Sequence, residues 1–408
     1  MTDLVIISNY WHCPQEKSSS RYHSIASMAA SYGLKVEVIT STFYHTAKKQ
    51  RNVLNRMLED SYSISFIKEK GYKKNISLQR ISSHSGFANN VIKYLKSRKK
   101  PDIIYLFVPP TGLAKKVVHF AKKNQIRIIT DILDLWPEAF KMIIPRFLEP
   151  LLYPMKKKIE YVYKNADNIV TVSENYLHRA YALNKRKGKS IAVYIGTELD
   201  YFDKIAAFAE PLEGKLRSVT MVYIGMLGHS YDLIEVMDAM LYLRNHGFDE
   251  VEFLVMGDGP LKEKFMSYAD VHHLPVRFTG RLSYEEMVRK LVKCDFALNV
   301  LCGKAAQSII NKHADYVSAG LPVINIQQDN EFDNLLNEYN AGISCPIGDT
   351  VSLANAIKLL AADKEKRIEM GINSRCLAEK NFNRKNTYLK ILNLITGKDE
   401  HIMRAVKE

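Results

Sequence analysis

Cysteine is scarce and scattered in this chain of 408 residues. Cys13, Cys294, Cys302, Cys345 and Cys376 are odd in number and form no C-x-x-C pair. That excludes a disulfide framework and a cysteine zinc site, and it fits a reducing cytosol. No stretch approaches the roughly 18 apolar residues of a membrane-spanning helix. The opening run Leu4-Val5-Ile6-Ile7 is too short for a signal-peptide core and lacks a basic leader. There is no internal repeat and no low-complexity tract. Equally absent are D-x-D, the usual carboxylate pair for a metal–diphosphate complex, and the P-loop, G-x-S-x-G and H-E-x-x-H motifs, so neither a metal nor a cofactor is expected. The adjacent His272 and His273 read as a solvated loop.

What is present describes an ordinary globular chain with an uneven charge. Apolar residues make up 47% and charged residues 25%, both unexceptional. The length exceeds one hydrophobic core, so two domains are expected. The net charge of +14 is concentrated in residues 1–200, which carry 33 basic and 16 acidic side chains, or +17, against −3 for the remainder. A basic half of this kind meets a membrane surface, a nucleic acid or a phosphorylated substrate, or is simply a solvated face.

Apolar runs alternate with helical stretches throughout. Strands are expected near 3–8, 35–40, 102–108, 126–131, 168–172 and 191–195, then 218–224, 251–256, 275–279, 294–300, 322–326 and 342–345. Continuous apolar strands separated by helices predict parallel sheets built from right-handed βαβ units. The expectation is therefore an α/β chain of two doubly wound, Rossmann-like domains facing across a cleft, with ligands at the strand carboxyl ends. The polar stretch after Gly196 places the junction near 205/206. That gives domains over 1–205 and 206–380, and a C-terminal segment over 381–408 that partly returns to the first domain.

The most informative stretch is Ser308 to Ile326, S-I-I-N-K-H-A-D-Y-V-S-A-G-L-P-V-I-N-I. It reads as a helix capped by Ser308 or Asn311, ended by Gly320 in the left-handed conformation, and followed by a buried strand. Lys312 and Asp315 share one face near the helix N-terminus, whose unpaired N–H groups suit a phosphate. The carboxylate could accept from a ribose diol. The plainer alternative is a surface ion pair on an ordinary αβ unit. Upstream, Gly225, the pair Gly257 and Gly259, and Gly280-Arg281-Leu282 form three glycine turns at strand ends, the last with backbone groups that could bond a base. In the first half, Asp131, Asp134, Trp136 and Glu138 close a strand as a candidate sugar-facing rim, since aromatic faces and carboxylates both suit sugars. A capped, partly buried tryptophan is the alternative. The polar loop 9–24 carries Lys17, Ser18, Ser19 and Arg21 toward the strand ends. Residues 141–164 mix apolar and basic side chains, and read either as a core helix or as a segment lying on an anionic membrane with Lys156, Lys157 and Lys158 toward the headgroups.

These residues, in this order, resemble glycosyltransferase family 4, the retaining GT-B enzymes, and in particular its bacterial surface-polysaccharide branch. The loop I-S-N-Y-W-H-C-P-Q-E-K-S-S-S-R, D-L-W-P-E, T-V-S-E, Y-I-G-T-E-L-D-Y-F, V-M-G-D-G-P-L, V-R-F-T-G-R-L and N-K-H-A-D-Y-V-S-A-G-L-P-V-I carry the likeness. The resemblance implies transfer from a nucleotide sugar, with UDP favoured, to a glycan or polyprenyl-diphosphate-linked acceptor, as a hexosyl or N-acetylhexosaminyl transferase of capsular or surface polysaccharide assembly. It also implies retention without a protein nucleophile, and a protein held peripherally at the cytoplasmic membrane face. By the same likeness Lys312, Gln307, Asp134 and Glu138 are the catalytic candidates. Gly225, Met226, Gly257, Gly259, Gly280, Arg281, Leu282, Ser308, Ile309, Ile310, Asn311, Lys312 and Asp315 would hold the donor. Lys17, Ser18, Ser19, Arg21 and Trp136 would face the acceptor. The chain departs from the family pattern at Met226 and Tyr231, where cations are usual, at Gln307, where an acid is usual, and at Asp315, where Glu is more common. Those departures keep a catalytically silent GT-B scaffold as an alternative. A nucleic-acid binder is a weaker one, because the basic charges follow no recognition motif.

Overall fold

The computed structural model describes residues 1–13, 16, 21–53, 56–59, 61–141, 144–214, 217–301, 309–327 and 330–397. The chain divides into two compact units. The first comprises Met1–Tyr194 with Tyr388–Glu408, and the second Ile195–Thr387. The divide thus falls at Tyr194/Ile195, before the polar stretch that suggested 205/206, and the chain re-enters the first unit at Tyr388.

Unit 1 is built on an eight-stranded sheet in the order Ile191–Ala192, Asn168–Thr171, Arg127–Ile132, Ile103–Val108, Asp3–Ile7, Lys35–Ser41, Ser63–Ile67, Arg56–Leu58. All neighbours are parallel except the last pair. Every residue of Ile103–Val108 is buried, as a central parallel strand with helices on both faces requires. Ser63–Ile67 was not anticipated. Its two serines break the apolar run, yet both are buried, and Ser65 Oγ donates to Glu37 at 2.6 Å. The last helix, Leu389–Thr396, buries Ile391, Leu392, Leu394 and Ile395 in the unit 1 core. Arg127 holds its C-terminal end by donating to the carbonyls of Leu394 and Ile395, where the helix carries partial negative charge.

Unit 2 is a six-stranded parallel sheet in the order Val276–Gly280, Val251–Met256, Val219–Ile224, Phe296–Val300, Val323–Ile326, Gly342–Ser344. The winding reverses between Val219–Ile224 and Phe296–Val300. In doubly wound sheets that reversal opens a crevice at the carboxyl ends of the two strands, where ligands bind. Both units therefore have the Rossmann-like architecture expected. Among the described residues no helix is long and apolar enough to cross a membrane.

One buried ion pair anchors unit 1. Arg21 is 3% exposed and Asp131 is fully buried. Arg21 Nε and Nη2 donate to the two carboxylate oxygens at 2.8 and 3.2 Å. Tyr105 adds a hydrogen bond to the same carboxylate at 2.6 Å, and Arg21 Nη1 reaches the carbonyls of Val193 and Tyr194. Arg21→Met keeps part of the stem but leaves Asp131 buried without its cation. A loss of about 3–5 kcal/mol is expected, the usual cost of breaking a buried pair from one side. Urea denaturation read by the unit 1 tryptophans would measure it.

Candidate functional site

The unit 2 crevice is organised by glycines and tyrosines around Lys312. The strand Val219–Ile224 ends on Gly225, whose φ of +138° is open to glycine and strained for other residues. The next loop packs directly on it. A Cβ on Gly257 would lie 1.8 Å from the Gly225 carbonyl oxygen, so only glycine fits at this approach. Gly225 N–H donates to Met256 O at 3.0 Å and Leu227 N–H to Asp258 O at 3.0 Å, which ties the two strand-end turns together. Gly259 and Gly280 complete the same edge, and Gly280 pairs with Gly257 in an isolated bridge. Arg281 beyond it is exposed and Leu282 partly buried.

The helix Asn311–Ser318 starts at this edge. Ser308 lies outside the described residues, and Asn311 is the first helical residue rather than the cap. Ile310 occupies the cap position, and its N–H donates to His313 Nδ1 at 3.4 Å. The helix end follows the sequence reading. Gly320 has φ +67°, with Gly320 N–H bonded to Val317 O and Leu321 N–H to Tyr316 O, the paired bonds of a Schellman motif. Tyr316 fixes the helix to both central strands. Its hydroxyl accepts from Ile224 N–H at 2.9 Å and donates to Leu298 O at 3.0 Å.

Lys312 is 7% exposed, and its Nζ has no hydrogen-bond partner among the described residues. The ammonium lies 4.0 Å from the Tyr223 ring centroid and 3.9 Å from that of Tyr231. A Cβ built on Gly225 would come within 3.7 Å of it, which puts the charge at the glycine turn. The surface ion pair considered above does not form. Burial holds the Lys312 pKa well below the ordinary lysine value. Two other buried polar atoms nearby, His313 Nε2 and Asn299 Oδ1, also lack partners among the described residues. His313 is stacked on Phe332 at 3.7 Å, and burial and Lys312 hold its pKa down.

Asp315, one turn on, is only partly exposed. It accepts from Tyr284 Oη at 3.1 Å and Thr197 Oγ1 at 3.4 Å. Desolvation outweighs these donors and nearby Arg384, raising its pKa to about 6. Met226, by contrast, is 65% exposed, and its carbonyl accepts from Tyr223 Oη at 2.9 Å. Ile309 is buried and Ile310 partly so. Gln307 and Ser308 lie outside the described residues, as do Lys17, Ser18 and Ser19.

In unit 1 the expected carboxylate rim is reduced. Asp131 is turned inward, and so is Arg21, which was placed on the acceptor side and is instead consumed by Asp131 because a buried carboxylate requires a cation. Asp134 accepts from Trp136 Nε1 at 2.9 Å, and burial raises its pKa. Glu138 accepts from Arg179 at 2.7 Å. Trp136 remains partly exposed, with Arg80 5.1 Å from its ring centroid and Phe140 edge-on at 4.8 Å.

Sequence reasoning missed Tyr223 and Tyr231 as the lysine cradle, and Tyr284 and Thr197 as partners of Asp315. Tyr231 was noted only for the cation it replaces, and no local pattern marks the others.

Asp315 makes a testable pH dependence. Its folded pKa of about 6 lies above the ordinary 3.8, so the protonated form favours folding. That contribution is complete below the ordinary value and is lost as pH rises through the folded one. Asp315→Asn mimics the protonated form. The variant should match the parent in stability at low pH, gain on it as pH rises through about 6, and then level off. Paired denaturation curves across this range measure the difference.

Residues 218–363 match the family described as glycosyl transferases group 1. No functionally curated protein matches the chain. Among solved structures, a sucrose-phosphate synthase from Thermosynechococcus elongatus is 14% identical with a TM-score of 0.70, over 97% of this chain and 99% of that one. HepE of Anabaena in complex with UDP is 11% identical with a TM-score of 0.68, over 97% and 100%. WaaG, a glycosyltransferase involved in lipopolysaccharide biosynthesis, is 13% identical with a TM-score of 0.64, over 97% and 100%. The chain therefore has the GT-B fold, and its second unit carries a glycosyl transferase group 1 domain.

Proposed function

We propose that the protein is a glycosyltransferase that moves a hexosyl or N-acetylhexosaminyl group from a UDP-sugar, with retention, to a glycan or polyprenyl-diphosphate-linked sugar in surface-polysaccharide assembly. The observation that carries this reading is Lys312. A buried ammonium without an acceptor among the described residues is costly, and each of the two tyrosine faces offsets only about 0.5–2 kcal/mol of that cost. A diphosphate at the Gly225 turn would supply the missing anion. The N-terminal N–H groups of Asn311–Ser318 would share the load, because no side chain among the described residues caps them.

Asp315 then takes the ribose diol and the backbone of Gly280 to Leu282 the base. UDP is supported by the HepE complexes with UDP and UDP-glucose, which share the fold. In the reaction the bond from the anomeric carbon to the diphosphate oxygen breaks, and the acceptor oxygen bonds to that carbon on the same face. The acceptor proton passes to the departing diphosphate. Charge grows on that oxygen, so Lys312 and the helix N-terminus act where stabilisation counts. A full charge and a helix end can do this without a metal. The acceptor falls to unit 1, whose basic surface, including the exposed Lys156, Lys157 and Lys158, suits a polyprenyl-diphosphate acceptor at the cytoplasmic face of an anionic membrane.

Lys312→Met removes the charge and keeps most of the stem. Turnover of a UDP-sugar, assayed in EDTA, should fall about 10²–10³-fold in kcat, the scale of losing one stabilising donor, with a smaller change in donor affinity. A folded variant that turns over like the parent would make Lys312 structural. A parent that binds the donor and never turns it over would favour the silent scaffold.

A further inference from the structure

We infer that unit 1 holds a built groove for the hydrocarbon chain and phosphate of the lipid-linked acceptor. The inference rests on the transferase reading above and names where that acceptor's tail goes. The groove lies between the helices Leu78–Ser97 and Thr111–Lys123 on one side and the segment Arg146–Leu152 with the helix Tyr153–Asn165 on the other. Its volume is about 1590 Å³, above the roughly 300–1,000 Å³ of a small-molecule site. Residues from Ser77 to Lys96 line it, so it runs nearly the whole first helix, roughly 30 Å at 1.5 Å per residue.

The chemistry of the walls selects the guest. Ile76, Leu78, Ile81, Phe140, Leu148 and Leu151 form an apolar floor and lip. Leu78 is 84% exposed and Leu151 73%, and the neighbouring Phe147 is 79% exposed. Large apolar side chains concentrated in one place and left in water mark a binding surface. Around them stand Lys93, Lys96, Lys115, Lys116, Lys123 and Lys158, together with Arg80, and no acidic residue lines the groove among the described residues. A sugar has no use for the apolar length, and a neutral hydrocarbon has no use for seven cations. A long apolar chain that carries phosphate uses both. The groove also reaches Trp136, over which Arg80 sits, at the rim closed by Asp134 and Glu138. The tail would thus deliver its sugar-bearing head to the carboxyl edge of the unit 1 sheet.

Farnesyl phosphate is a soluble probe of this chemistry, with farnesol and inorganic phosphate as its separated halves. Calorimetric titration of the full chain should show farnesyl phosphate bound at least about tenfold more tightly than either half, and about tenfold weakened by Ile81→Asp with Leu151→Asp, the scale of one buried apolar side chain. Both substituted residues are exposed, so the fold should persist, and an unchanged urea denaturation curve read by the unit 1 tryptophans would confirm it. Lys93→Gln with Lys115→Gln should weaken farnesyl phosphate and leave farnesol untouched. A double Asp variant that binds the probe like the parent overturns the groove. So does inorganic phosphate binding as tightly as the probe, or adsorption to anionic vesicles that no groove variant alters. A parent that binds UDP-glucose but not the probe sinks the groove alone. A parent that binds the probe but no nucleotide sugar sinks the transferase reading instead.

Discussion

A lysine ammonium pressed between two tyrosine rings is the interaction that gives unit 2 its chemistry. Burying an unpaired cation costs several kcal/mol even after relaxation, so the surroundings must hold it in place. Tyr316 does much of this. Its hydroxyl bonds Ile224 N–H and Leu298 O, which pins the helix Asn311–Ser318 to the two strands flanking the reversal in the sheet. Lys312 lies one turn earlier and is thereby carried to the Gly225 turn. The close packing of Gly257 on Gly225 keeps that turn narrow. The outcome is a buried amine aimed at the glycine turn and poised to take up charge beside a polyanion, with Asp315 one turn further along the same helix.

Unit 1 solves a different electrostatic problem. Among the described residues its most deeply buried ion pair, Arg21 with Asp131, is hydrogen-bonded throughout and faces inward. The surplus of positive charge is carried by exposed lysines on helices whose apolar side chains are also left uncovered. A purely solvated basic surface would not pair those lysines with exposed leucines and isoleucines. That combination, rather than the net charge, distinguishes a lipid-facing groove from a nucleic-acid surface.

Much of the fold could be read from the chain because parallel strands buried on both faces leave continuous apolar runs, as in Ile103–Val108 and Val219–Ile224. Ser63–Ile67 escaped because Ser65 spends its hydroxyl on Glu37, a partner visible only in three dimensions. Gly320 was legible, since a helix end in the left-handed conformation has a local signature. Arg21 was misread for the same reason Ser65 was. A basic residue at a helix start reads as exposed until Asp131, distant in sequence, is found beside it. The cradle of Lys312 is likewise tertiary. Tyr223 lies on a strand and Tyr231 in the following loop, and neither is near Lys312 in the chain. What motif reading recorded at Tyr231 as a missing cation is, in the structure, a ring that supports the cation from another element.

We propose that Lys312 receives the donor diphosphate. Burial depresses its pKa, and an incoming polyanion would raise it again. Binding should therefore draw a proton from solution. Calorimetric titration of UDP-glucose into the full chain, repeated across buffers of different ionisation enthalpy between about pH 7 and 9, reads that proton directly. UDP-glucose itself has no phosphate group titrating in this range. Net proton uptake is expected in the parent and should disappear in Lys312→Met. Donor binding without uptake at any pH in the range, or equal uptake in the variant, would contradict it.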